Sequence, residues 1–97
     1  MGRNRFDKKV DANQAVLVKF LRKTGVSVEV DMDDILCGWE GRNYWFEIKN
    51  PNTVSKKTHK ILDSAKKPHQ IELENEWKGH YRIVSNIDEI LEDMGIT

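Results

Sequence analysis

The chain has 97 residues, with 16 lysines and arginines balanced by 16 aspartates and glutamates for a formal net charge of zero. This length supports one domain with a single core and excludes a large internal substrate cleft, so an active site is expected on an exposed sheet edge or completed by a second subunit. The single cysteine, Cys37, excludes an internal disulfide or a cysteine-built zinc cluster, and no long apolar run or signal-peptide pattern is present, so a cytoplasmic location with no membrane partner is expected.

The neutral total hides a block pattern. Residues 1–23 carry seven basic and two acidic groups, and residues 24–47 carry one basic and six acidic. Residues 48–69 carry six lysines and one aspartate, and residues 70–97 carry two basic and seven acidic groups. The two basic blocks can form a local phosphate-binding footprint on a neutral chain. Residues 1–10 read as a basic flexible arm, and residues 11–97 as one domain.

Asp11-Ala12-Asn13-Gln14 is an acceptable capping box, with Asp11 as N-cap and Gln14 reaching back as its partner. The helix it opens runs to about Lys23, buries Leu17, Val18 and Leu21, and ends at Gly25. Val26 to Val30 alternates as a strand. Asp34–Trp39 and Arg42–Glu47 read as two arms of a hairpin joined by a two-residue turn at Glu40-Gly41. Asn50-Pro51-Asn52 breaks the second arm, and residues 53–67 suggest a mobile loop or short helix. Pro68 opens a further helix, His80–Val84 is a fourth strand, and Asn86-Ile87-Asp88-Glu89 caps a last helix closed by Gly95. The order is α-β-β-β-α-β-α, an α/β fold.

The hairpin carries the chemistry. A turn at Glu40-Gly41 pairs residues whose numbers sum to 81, which sets Asp34 directly opposite Glu47. Opposed residues share a face with Cβ atoms roughly 5 Å apart, and Lys49 falls on that face too. The same register places Ile35, Cys37, Trp39, Tyr44, Phe46 and Ile48 together on the other face, as a core requires. Two carboxylates so close repel unless something positive sits between them. Magnesium or manganese would, since either accepts hard oxygen ligands and completes its shell with water and phosphate oxygens. The Ile48 carbonyl can add a ligand, and Lys49 can orient the attacking water or steady charge on the phosphorus. Asp33 points to the opposite face in an ideal strand, although a bulge would exchange it with Asp34.

Asp11-Ala12-Asn13-Gln14, Asp34-Ile35-Leu36, Gly41-Arg42-Asn43-Tyr44, Glu47-Ile48-Lys49 and Pro68-His69-Gln70 together resemble the PD-(D/E)XK nuclease superfamily. More narrowly, they are similar to the small stand-alone VRR-NUC nucleases of phages and prophages, over about residues 11–94. The resemblance implies a restriction-endonuclease-like core with a mixed four-stranded sheet flanked by helices. It also implies a metal-dependent DNA endonuclease, structure-selective on branched DNA in the manner of Holliday-junction resolvases, acting as a homodimer. By position, Asp34 and Glu47 would bind metal, Lys49 would be catalytic and Gln70 would face the site. Asp33 replaces the proline that precedes the motif aspartate in the family. The first helix also lacks the acidic residue that many relatives use as a further ligand.

The alternative is a non-catalytic module that keeps the nuclease fold and binds nucleic acid or a phage-assembly partner. Lys56, Lys57, Lys60, Lys66 and Lys67 are placed along the chain to grip phosphates beside the site. His59, His69 and His80 lack metal-ligand spacing and read as surface residues, and Cys37 reads as core. Trp45 alternates onto the face of Glu47, where it would either stack on a base or cover the sheet edge or a dimer contact.

Overall fold

The computed structural model describes residues 4–96, and the side chains of residues 13–96. The first helix, α1, spans Asn4–Thr24. It starts seven residues ahead of Asp11, so Asp11 lies inside it and is not its N-cap. No proline or glycine interrupts residues 4–24, and without a breaker the helix propagates past a weak capping signal. The remainder of the expected basic arm, residues 1–3 and the side chains of 4–12, lies outside the described residues. At its other end Gly25 takes φ +102°. Its N–H reaches the Arg22 carbonyl, and the Val26 N–H reaches that of Leu21, which satisfies carbonyls left open where the helix stops.

Four strands follow: β1 Ser27–Asp31, β2 Asp34–Trp39, β3 Arg42–Ile48 and β4 Tyr81–Val84, ordered β1-β2-β3-β4 in one sheet. The first three are antiparallel, and β4 runs parallel to β3. Glu40 and Gly41 take φ +50° and +80°, the positive pair that a two-residue hairpin turn demands. The turn between β1 and β2 has Met32 at φ +56° with no glycine, so this second tight hairpin carries no sequence signal of the usual kind. The first strand lies at the sheet edge, where the Arg22 guanidinium donates to the Val28 carbonyl at 2.8 Å.

One sheet face is apolar. Val28, Ile35, Cys37, Phe46, Ile48 and Val84 pack there against Leu17, Val18 and Leu21 of α1. Ile90 and Met94 of the last helix, α3 (Ile87–Met94), complete this layer. Asn86 caps α3 by accepting from the Glu89 N–H at 3.0 Å, and Gly95 closes it at φ +74°. Charges pin α3 to β4: Arg82 pairs with Asp93 at 2.5 Å and with Glu89 at 3.5 Å.

His80 belongs to this tie and is not a surface residue. Its Nδ1 accepts from the Trp45 backbone N–H at 3.2 Å, so Nε2 carries the proton and faces Asp93 Oδ2 at 2.8 Å. The ring sits edge-on to Tyr44 and Phe46. His59 and His69 are exposed and Cys37 is fully buried. Burial pushes the Cys37 thiol up to about 11, leaving it an inert core residue.

The segment from Asn50 to Lys67 folds without an α-helix. Asn50 caps a short turn at Pro51–Thr53, Val54 bridges Ile61, and a second such turn covers Asp63–Ala65. Ser55 Oγ accepts from the N–H groups of Lys57 and Thr58. Local side-chain acceptors thus satisfy a backbone that the lysine-rich composition suggested was a mobile loop or short helix. Helix α2, Pro68–Glu76, lies against β4 on the polar side of the sheet, where Trp77, just past its end, meets Trp45. The architecture is therefore α/β with a mixed four-stranded sheet and three helices, in the order α-β-β-β-α-β-α. No helix among the described residues is long and apolar enough to cross a membrane.

Candidate functional site

The expected register is present: Asp34 is the direct partner of Glu47, Ile35 of Phe46 and Trp39 of Arg42. On the polar face a cross-sheet row runs Asp31, Asp34, Glu47, Ile83, with Glu29, Leu36, Trp45 and Tyr81 in the next row. Lys49 follows on the same side. Its backbone N–H donates to the Val84 carbonyl at 2.8 Å, and the Ile48 N–H to the Asp33 carbonyl at 2.9 Å. Asn13 Nδ2 reaches the Lys49 carbonyl at 3.4 Å, tying α1 to the end of β3. A cavity of about 300 Å³ opens at this corner, lined by Asn13, Asp33, Ile48, Lys49, Asn50 and Thr53.

Glu47 is only 4% exposed, and its Oε2 has no hydrogen-bond partner, although the Lys49 ammonium stands 3.9 Å away. Burial raises the Glu47 carboxyl to about 8, and a hydrogen bond to Asp34 and the charges of Asp34 and Asp33 add to the rise, against the pull of Lys49. Burial and the neighbouring acids thus favour the protonated form of Glu47, which can donate to Asp34. That proton relieves the repulsion for which the pairing demanded a positive charge.

The remaining expected residues divide. Gln70 is buried, but its side-chain oxygen accepts from the Lys67 N–H at 2.9 Å, so it closes the first turn of α2. Gln14 is 2% exposed with neither amide atom partnered; it lies within α1 and is not the capping partner of Asp11. Lys56, Lys57, Lys60 and Lys67 are exposed. Lys66 is held by both carboxylate oxygens of Glu74, at 3.0 and 3.3 Å. The Ile48 side chain points into the core, which leaves its backbone as the part adjoining Glu47. Among the described residues no three His, Cys, Asp or Glu side chains gather to hold a metal ion.

Trp45 lies on the face of Glu47 as the alternation predicts, and Tyr81 joins the site without having been assigned to it by sequence reasoning. The Trp45 indole N–H donates to Asp34 Oδ2 at 3.3 Å, and its ring is edge-on to Tyr81 at 4.7 Å and Trp77 at 5.3 Å. The Tyr81 hydroxyl is buried without a partner. Burial raises its ionisation sharply, and the charges of Glu47, Asp34 and Glu74 raise it further. Alternation along Tyr81–Val84 pairs Tyr81 with Ile83, but only the parallel register with β3 shows that they face Glu47. An orphaned hydroxyl costs about 1–3 kcal/mol, so Tyr81→Phe is expected to raise the metal-free stability by about 1 kcal/mol in urea denaturation. A loss of stability would mean that the hydroxyl has a partner.

No protein-family model matches the chain, and neither curated proteins nor solved structures provide a match.

Proposed function

We propose that the chain is a magnesium- or manganese-dependent DNA endonuclease with a restriction-endonuclease-like core, acting on branched DNA as a homodimer. The observation that carries this reading is the direct Asp34–Glu47 pair on one face, with a partnerless buried Glu47 oxygen 3.9 Å from the Lys49 ammonium. The donor set suits magnesium, which needs few protein carboxylates and keeps several waters. Asp34, Glu47 and the Ile48 carbonyl would hold the ion, and the orphaned Glu47 oxygen is the donor it would satisfy. When bound, such an ion polarises the phosphate and lowers the pKa of a water.

The rest falls to the chain itself. Glu47, whose burial favours the protonated form, would release that proton to solvent on becoming a ligand. Lys49, fixed through its backbone bond to Val84, directs its ammonium at the water and offsets charge on the attacked phosphorus. Trp45 holds Asp34 by its indole N–H. The exposed Lys56, Lys57, Lys60 and Lys67 grip phosphates along the strand, and Lys66 steadies the segment against α2.

The test is cleavage of branched, flapped and linear DNA with magnesium or manganese, comparing wild type with Asp34→Ala, Glu47→Ala and Lys49→Ala. Each change is expected to lower the rate by about a thousandfold, as removal of a ligand or an electrostatic partner does. Activity that survives all three sinks the assignment. The second reading, a non-catalytic DNA-binding module, draws on a site of only two carboxylates, one of which burial favours in its protonated form. It requires salt-dependent DNA binding with no cleavage in either metal.

A further inference from the structure

Tyr81 brings to the polar face a hydroxyl that the proposed chemistry does not use. The register places Tyr81 beside Trp45 and Ile83 beside Glu47, so Tyr81 and Glu47 are diagonal neighbours on one face of adjacent strands. Strand spacing and rise set such backbones roughly 8 Å apart, a gap that an aromatic side chain can cross. The ring is held edge-on by Trp45 at 4.7 Å, and the hydroxyl is buried without a partner among the described residues. Apart from its burial, that hydroxyl is acted on by the charges of Glu47, Asp34 and Glu74, in that order.

These three carboxylates are not equally open to a donor. Glu74 binds the Lys66 ammonium with both oxygens, at 3.0 and 3.3 Å. Asp34 Oδ2 accepts from the Trp45 indole N–H at 3.3 Å. Of the three, only Glu47 has a buried oxygen with no hydrogen bond. A donor without an acceptor and an acceptor without a donor thus share one face, and each costs free energy while unpaired. We propose that Tyr81 is a positioning residue for Glu47, its hydroxyl donating to the Glu47 carboxylate when that carboxylate holds a divalent cation. This inference rests on the metal-dependent reading of the site. In turning from Asp34 to a cation, Glu47 gives up one bond and needs a donor to fix the plane of its carboxylate. Donors behind metal-bound side chains orient them in this way, and losing one typically weakens metal binding about 10–100-fold.

The experiment titrates the full chain with manganese alone, reading free manganese by electron paramagnetic resonance, for wild type, Tyr81→Phe and Tyr44→Phe. Phenylalanine keeps the ring against Trp45, and Tyr44, paired with Cys37, lies on the other face of the sheet. Tyr81→Phe is expected to bind manganese about tenfold more weakly, although without metal it is the more stable protein in urea. Tyr44→Phe is expected to match the wild-type affinity. A merely structural hydroxyl could not raise stability when removed and yet weaken the metal. Equal affinity in wild type and Tyr81→Phe overturns the inference, as does an equal loss in both variants. A metal-free Tyr81→Phe less stable than wild type, or a wild type that takes up no manganese, overturns it too. Binding that depends on Tyr81 with no DNA cleavage removes the nuclease reading and leaves the positioning role standing. Cleavage with a manganese affinity indifferent to Tyr81 does the reverse.

Discussion

Glu47→Gln is expected to make the metal-free protein more stable at about pH 8.5 while abolishing cleavage. The native Glu47 carboxyl holds its proton up to about pH 8, against an ordinary value of 4.5. Below 4.5 both folded and unfolded chains carry that proton, and no penalty arises. Between 4.5 and 8 the unfolded chain binds fewer protons than the native one, so stability falls as pH rises. Above 8 the penalty is complete, because both states are ionised and the native carboxylate is buried against Asp34. Each pH unit in the window costs at most about 1.4 kcal/mol. Water that enters as the charged pair separates reduces the total, leaving a decline on the order of 3 kcal/mol. Glutamine keeps the hydrogen bond to Asp34 and has nothing to ionise, so its stability curve is flat across the window. Urea denaturation at about pH 5, 7 and 8.5 reads both curves. Magnesium at high pH should restore the wild type alone, because an ion that binds only the folded state stabilises it by mass action. Parallel curves for the two proteins would show that Glu47 is not buried beside a second acid.

The second large effect comes from the opposite face of the same strand. Phe46 is fully buried, is the largest such side chain, and lies edge-on to His80 at 4.8 Å. Phe46→Ala is expected to cost about 3–5 kcal/mol through lost transfer energy and the cavity left behind. A domain of this size has a total stability of about 5–10 kcal/mol, so the variant would be partly unfolded at physiological temperature. The loss should extend to the site, because Trp45 and Glu47 flank Phe46 and the Trp45 N–H is anchored on His80. Near-ultraviolet circular dichroism and the urea midpoint would fall together. A loss under 1 kcal/mol would mean that the layer between the sheet and its two helices repacks around alanine.

What the sequence made legible was set by local rules. Glu40-Gly41 dictates the turn, and period-two alternation leaves one register that buries Ile35, Cys37, Phe46 and Ile48 together, so the Asp34–Glu47 pair followed from counting. Gly25, Asn86 and Gly95 marked helix ends for equally local reasons. The start of α1 was not legible, because a capping box is a preference and nothing ahead of Asp11 forbids helix. The Met32-Asp33 turn was hidden because a methionine with positive φ announces nothing. Segment 50–67 folds through side-chain bonds from Asn50 and Ser55 that a lysine-rich composition masks. At the site, the unpartnered Tyr81 hydroxyl and the His80 anchor both depend on how β4 sits beside β3, whereas the Trp45–Asp34 bond lies within the hairpin. That parallel pairing joins residues some 35 positions apart, beyond the reach of any turn or periodicity.

The exposed rim of the sheet at β1 has its own consequence. Two copies pairing antiparallel along it keep their faces matched when the pairing centres on Val28, Glu29 or Val30. Centring on Glu29 sets that acid against itself, and centring on Val30 sets it against Asp31. Centring on Val28 needs the carbonyl already taken by Arg22. Like charges and an occupied acceptor thus guard this margin, and keep neighbouring molecules from zipping into a continuous ribbon even where Val30 and Met32 stand bare.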